Sequence, residues 1–170
     1  MALTVEDGTG VTNADAYISL IDAEAQYLKR FGEAWPGTDP EKESAIIRAT
    51  SWVDNLNFIG APVGGRSQSL AWPRKDATDR DGFEISATEL PHEISTATGI
   101  LAFAEKVTPG ILTPDIDRTA IRKRQKVGPI EIENAGNPGT ERFNRVVVTA
   151  AMDLLKPLTI GGNAQFLARA

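Results

Sequence analysis

The sequence predicts a mainly α protein, a small bundle of about four helices carrying one long irregular loop and one β-hairpin. Three observations lead there. Three stretches repeat apolar residues at helical spacing on stripes too wide for lone surface helices, so they must cover one another. Two of them begin with Pro in the first helical turn, where its missing N–H costs nothing. Between these two lies a Gly- and Pro-rich segment from about Asn57 to Ile85, longer than most connections in a compact domain and expected to be functional or to pack as its own unit.

Residues 1–18 are polar and Gly-containing, with a short strand expected at Ala16-Tyr17-Ile18. A first helix opens at Ser19-Leu-Ile-Asp22, with Asp22 near the positive end of the helix dipole, and Asn13 is a competing start. Ala23, Tyr27 and Phe31 share a face, and Gly32 is a C-terminal stop. In the second helix Asp39 caps, Pro40 takes the first position, and Glu41 and Glu43 load the first turn. Ala45, Ile46, Ala49, Trp52, Val53 and Leu56 form its apolar face.

The chain is organised around the stretch from Leu70 to Val107, and above all around its helix from about Pro91 to Val107. Ile94, Ala97, Leu101 and Ala104 recur at helical spacing, and Ile100, Phe103 and Val107 widen the stripe. So apolar a helix should be the central post of the bundle. Ser86 and Glu89 form an S-x-x-E pattern that leaves open a start one turn earlier. Upstream, Trp72 reads as a buried wedge, with Pro73 fixing the chain and Arg74 pairing with an acidic neighbour.

Thr108-Pro-Gly and Thr113-Pro then break the chain. Ile121 to Val127 and Ile130 to Glu133 read as a hairpin around Gly128-Pro129. Pairing places Val127 opposite Ile130, Lys126 opposite Glu131, Gln125 opposite Ile132 and Arg124 opposite Glu133. One face is then apolar and the other holds two cross-strand ion pairs. The last helix runs from about Glu141 to Leu155, with Thr140 as cap and Pro157 as stop. Phe143, Val147, Ala150 and Leu154 share its stripe, broadened by Val146, Ala151 and Leu155. Residues 1–158 read as a single domain and 159–170 as a tail that is mobile or ordered by a partner. The expected core is Ile46, Ala49, Trp52, Val53, Ile94, Leu101, Ala104, Val147, Ala150 and Leu154.

Composition narrows the function classes. There is no Cys, so no disulfide framework and no thiolate chemistry, and with a single His a transition-metal site is not expected. No apolar run approaches the roughly 20 residues that span a bilayer, and the N-terminus lacks a secretory signature. A soluble intracellular protein with no membrane partner is the expectation. The net charge of −5 is unevenly spread: residues 1–57 carry 4 basic and 10 acidic side chains, residues 58–117 carry 5 and 9, and residues 118–170 carry 9 and 4. An acidic body with a basic last third can hold nucleic acid at one end or mate with copies of itself, acidic face to basic face.

The candidate sites follow from these patterns. Asp76, Asp79, Asp81 and Gly82 suggest calcium, but an EF-hand ending its turn at Gly82 would begin at Ala77 and take its last ligand from Thr88. An Asp-rich turn that bonds its own backbone is the better account. His92 has no nucleophile or carboxylate constellation around it and reads as solvated. Gly64-Gly65-Arg66-Ser67 and Gly8-Thr9-Gly10 lack the Walker lysine. No enzyme and no cofactor is expected. The basic run Arg118, Arg122, Lys123, Arg124 and Lys126 is the best candidate for a DNA contact, half neutralised by the hairpin ion pairs. Arg74, Asp79, Arg80 and Asp81, on the long loop, are candidate inter-subunit partners.

The order of these pieces resembles a phage family. Tyr17-Ile-Ser-Leu-Ile-Asp-Ala23 matches its opening motif, and Ile47-Arg-Ala-Thr50 followed by Trp52 matches its next helix. Leu70-Ala-Trp-Pro-Arg74, Asp79-Arg-Asp-Gly82, Lys126-Val-Gly-Pro129 and Leu154-Leu-Lys-Pro-Leu158 follow in the family's order. The chain is similar over Tyr17 to Leu158 to head–tail adaptors (connector or head-completion proteins) of long-tailed bacteriophages, a family also labelled DnaT-like single-stranded-DNA-binding. The resemblance implies a helical bundle made in the host cytoplasm and assembled in the virion at the head–tail junction. It implies a homo-oligomeric ring, usually twelvefold, below the portal protein, surrounding non-specifically held DNA and facing a tail-side stopper or neck protein. The alternative is a single-stranded-DNA-binding or replication-accessory protein. Single-strand binding usually sets aromatic platforms beside basic residues, and the expected hairpin has no aromatic.

Overall fold

The computed structural model describes residues 2–113, 125–127, 130–132 and 148–160. In chain order these form α1 (Leu20–Phe31), α2 (Asp39–Asp54), β1 (Ala61–Pro62), β2 (Arg74–Lys75), β3 (Ala77–Thr78), β4 (Glu84–Ile85), α3 (His92–Val107), β5 (Gln125–Val127), β6 (Ile130–Ile132) and α4 (Thr149–Leu155). The protein is mainly α, and the described residues hold three antiparallel two-stranded ladders, β1–β2, β3–β4 and β5–β6.

α3 is the central post and packs against α1, α2 and α4. Ile94, Ala97, Thr98, Ile100, Leu101, Ala102 and Phe103 are all buried, which covers the helix on nearly every side. The one hydroxyl among them is satisfied locally, Thr98 Oγ1 donating to the Ile94 carbonyl at 2.8 Å. Gly99 leaves room for the end of the Gln26 side chain from α1: a Cβ there would lie 1.8 Å from Gln26 Oε1. The helix begins after Pro91, and Ser86 and Glu89 close a separate turn, so the earlier start is not taken.

Local signals fix the ends of the first two helices. Ser19 Oγ accepts from the Asp22 N–H at 3.1 Å and donates to the Asp22 carboxylate at 2.6 Å. This is the start at Ser19; Asn13 instead sits in an upstream turn with φ 59°. Gly32 closes α1 in the left-handed region, φ 76°, its N–H on the Leu28 carbonyl. In α2 the cap is Thr38, one residue before the expected Asp39, because Glu41 reaches back to accept the Thr38 N–H at 2.9 Å. That bond holds the Glu41 carboxyl below its ordinary pKa.

The core differs from expectation in phase more than in content. Ile46, Ala49, Val53, Ile94 and Leu101 are fully buried. Trp52 and Ala104 are only half-buried, while Phe31 and Val107, at helix ends, are exposed. On α4, Ala150 is exposed and Leu154 half-buried, and Ala151 and Leu155 are the buried pair. That helix is apolar on two adjacent stripes, and packing against α3 selects the second. Thr140, Phe143, Val146 and Val147, with the expected helix start at Glu141, lie outside the described residues.

Much of the remaining core comes from non-helical segments. Trp72 is wholly buried, as a wedge should be, edge-on to Phe58 at 5.7 Å between ring centres, and the Trp72–Pro73 peptide is cis. The expected strand at Ala16–Ile18 shrinks to one bridge, Val5 to Ala16, yet Ala16, Tyr17 and Ile18 are all buried. The long segment folds into small ladders that pair Ala61 with Lys75 and Ala77 with Ile85. After α4, a 3-10 turn at Lys156–Leu158 absorbs Pro157, and the chain pairs back onto the loop after α2. Ile59 N–H donates to the Leu158 carbonyl at 3.0 Å and Ile160 N–H to the Asn57 carbonyl at 2.8 Å. The start of the expected mobile tail is therefore stitched to the body.

Candidate functional site

The opening motif, the end of α2 and the Trp72 segment meet at one polar joint. The Tyr17 hydroxyl donates to Asp54 Oδ1 and accepts from the Trp72 N–H at 3.1 Å, while Asp54 Oδ1 also accepts from the Ala71 N–H at 3.0 Å. Two side chains 37 positions apart thus satisfy two loop N–H groups that have no ladder to join. Burial raises the Asp54 carboxyl above its ordinary pKa, and its hydrogen bonds offset part of that. The Tyr17 phenol is driven far up, first by burial and then by the neighbouring carboxylate. Both groups are committed to holding chain.

Arg74 is used in the same way, which corrects the expectation of an acidic partner. Its Nε donates to the Ile59 carbonyl at 2.6 Å, and its terminal nitrogens donate to the carbonyls of Ala71 at 3.1 Å and Gly60 at 2.8 Å. Five donors in a rigid fork suit an irregular run of carbonyls. Desolvation lowers the guanidinium pKa from its ordinary value. The loop that receives the returning chain at Ile59 is the loop Arg74 grips.

The Asp-rich turn bonds its own backbone. Asp79 Oδ1 accepts from the N–H groups of Asp81 at 2.9 Å and Phe83 at 2.8 Å, and the Asp79 N–H returns to the Phe83 carbonyl. Arg80 and Asp81 point into solvent on this turn. Arg74 is thus separated in role from Asp79, Arg80 and Asp81, although all four lie on one loop. His92 is solvated, its side chain 83% exposed beside Glu93.

Of the basic run, Arg118, Arg122, Lys123 and Arg124 lie outside the described residues. Lys126 stands in β5 opposite Glu131, with Val127 opposite Ile130 and Gln125 opposite Ile132, the expected register. The Arg124–Glu133 pair falls outside the described residues. In the body, three cations form ion pairs within the fold. Arg48 Nε meets Glu105 at 2.8 Å, Lys42 Nζ meets Glu24 at 2.5 Å and Lys106 Nζ meets Glu41 at 3.5 Å.

Two buried carboxylates escaped sequence reading. Glu6, 2% exposed, accepts the N–H groups of Gly8, Gly10 and Val11, all at 2.9 Å. Glu105, 1% exposed, accepts from Gly110 and Leu112 as well as Arg48. The only hint was an acidic residue just before a Gly-containing turn. A groove of about 500 Å³ opens beside α1 between Glu6, Tyr17, Asp22 and Lys29, but the Glu6 carboxylate on its wall is already occupied by backbone. Among the described residues no cluster of three or more His, Asp or Glu is placed to hold a metal ion, and no helix is long and apolar enough to cross a membrane.

A family model described as "Putative DnaT-like ssDNA binding protein" matches residues 1–170. No curated protein and no solved structure matches the chain.

Proposed function

Because the chain belongs to the DnaT-like ssDNA-binding protein family, we propose that it is a non-enzymatic protein that contacts single-stranded DNA through the basic residues of its last third. The observation that carries this reading is the charge split along the chain, with the strongest basic excess in its last third. In the body, Lys42, Arg48, Arg74 and Lys106 are held by its own carboxylates and carbonyls. Residues 118–170 carry 9 basic against 4 acidic side chains, a local excess of positive charge in a chain whose net charge is −5. Phosphate contacts of this kind carry no sequence preference. Binding is therefore weak and non-specific. Gel-shift of a labelled single-stranded oligonucleotide tests it: the protein should retard the strand, and changing Arg122, Lys123 and Arg124 together to Ala should abolish the shift. Retardation equal to the unaltered protein's would refute this placement of the contact.

A second reading is supported by the order of motifs from Tyr17 to Leu158 and by the charge split, acidic front and basic back. In it the chain is a virion protein at the head–tail junction. Copies meet front to back in a ring, heterologous contacts that close when the rotation allows. The ring sits between the portal and a tail-side neck protein, with DNA passing through. Asp79, Arg80 and Asp81 would contact a neighbour, whereas Arg74 is engaged internally. Negative-stain images of the protein mixed with its portal decide this reading: rings capping the portal support it, and unaltered portal particles reject it.

A further inference from the structure

α1 carries an apolar stripe that the described residues leave largely open, although Phe31 also touches the rings of Tyr27 and Phe103. Ile21 is 77% exposed, Leu28 53% and Phe31 53%, and Ala25 between them is exposed as well. Three of the seven large apolar side chains exposed among the described residues therefore lie on one 12-residue helix. Ile21, Ala25 and Leu28 stand at i, i+4 and i+7, the spacing of a helix–helix seam. The opposite side of α1, at Ala23, is the one buried against the bundle.

The flanks of the stripe say what fits it. At about 100° per residue, Asp22 and Lys29 fall on the same flank, one near each end of the helix. Leu20 and Phe31 fall together on the other flank, again one near each end. When a helix meets its own copy across a two-fold axis perpendicular to it, the partner runs antiparallel and each flank faces the same flank reversed. Asp22 of one copy then lies beside the partner's Lys29, and Leu20 beside the partner's Phe31. Each relation occurs twice, and both share one register, centred between Ala25 and Gln26. A parallel pairing would instead set the Asp22–Lys29 flank against the partner's Leu20–Phe31 flank, where both charges meet apolar side chains.

We propose that the exposed face of α1 is a self-association surface, on which a second copy of this chain docks antiparallel through Ile21, Ala25, Leu28 and Phe31, with reciprocal Asp22–Lys29 pairs. This contact is independent of any DNA contact. Four apolar side chains on three helical turns cover less than the roughly 800 Å² per partner of a standard stable interface. The dimer is accordingly weak, forming at roughly tens to hundreds of micromolar.

Sedimentation velocity over a concentration series, with circular dichroism to verify folding, tests the surface. The unaltered protein should shift from monomer toward dimer, and Leu28→Asp should remain monomeric with unchanged helicity. Asp22→Lys and Lys29→Asp should each self-associate roughly tenfold more weakly, since each places like charges together twice. Mixing those two variants should restore the dimer, because every flank pair in the mixed species is again opposite in charge. A monomer at all concentrations, a dimer that survives Leu28→Asp, or a mixture no tighter than its components would overturn the proposal.

Discussion

Glu105 on α3 and Arg48 on α2 meet at 2.8 Å, with the carboxylate 1% exposed and the guanidinium at the surface. The same carboxylate holds the turn after α3 through the N–H groups of Gly110, at 2.6 Å, and Leu112, at 3.2 Å. One acidic side chain thus ties two helices and the chain's exit from the central helix.

Glu105→Ala should therefore destabilise the fold by roughly 3–5 kcal/mol, because it strands two backbone donors and removes the partner of a cation. Glu105→Gln keeps an acceptor oxygen and should cost less. Urea unfolding of both variants checks the order, and equal midpoints for Ala and unaltered protein would contradict it.

The joint at Tyr17 predicts a pH effect whose sign can be worked out. The folded state raises the Asp54 pKa, so between the unfolded and folded values the folded protein binds the extra proton. Stability from this group therefore falls as pH rises through that window. Asp54→Asn removes the dependence while keeping an oxygen for Tyr17 and Ala71. Its stability relative to the unaltered protein should improve as pH rises from acid toward neutral. Thermal melts at several pH values measure this. Tyr17→Phe leaves the Trp72 N–H without its acceptor and takes one of two donors from the Asp54 carboxylate, and should cost about 1–3 kcal/mol at neutral pH.

Arg74 should behave as a structural residue. Arg74→Glu removes the donors to Ile59, Gly60 and Ala71 and places a carboxylate among their carbonyls, so it should lower stability by at least 2 kcal/mol. Arg74→Lys should rescue only part, since a lysine lacks the planar fork. Arg80→Glu, on the exposed turn, should leave the melting temperature nearly unchanged.

Leu101, fully buried at the centre of α3, should cost about 2–5 kcal/mol on truncation to Ala. Differential scanning calorimetry showing no loss would remove α3 from the centre of the bundle.

The parts legible in the sequence are those encoded by neighbours in the chain. Ser19 and Gly32 mark the ends of α1 by capping chemistry, Pro40 marks the first turn of α2, and the wide apolar run of α3 declares a helix covered on several sides. The β5–β6 register followed from pairing around Gly128-Pro129. What escaped is non-local. Nothing near Tyr17 announces Asp54, and nothing near Arg74 announces the carbonyls of Ile59 and Gly60, because the acceptors are brought in by folding. The Ala151–Leu155 face of α4 was missed because neighbouring stripes are equally apolar and only contact with α3 chooses between them. The α1 stripe was missed for the converse reason: Ile21, Leu28 and Phe31 look like core until the bundle shows which side of the helix is already covered.

The DNA-binding reading stands on phosphate contacts from the last third, and its most direct test is a salt titration of binding to a labelled single-stranded oligonucleotide. With three to four phosphates neutralised, affinity should fall about twenty- to fiftyfold between 50 and 200 mM salt. Changing Arg118, Arg122, Lys123 and Arg124 to Ala should remove both the binding and its salt slope. Binding that is absent at 50 mM salt, insensitive to salt, or unchanged in that variant would contradict the account.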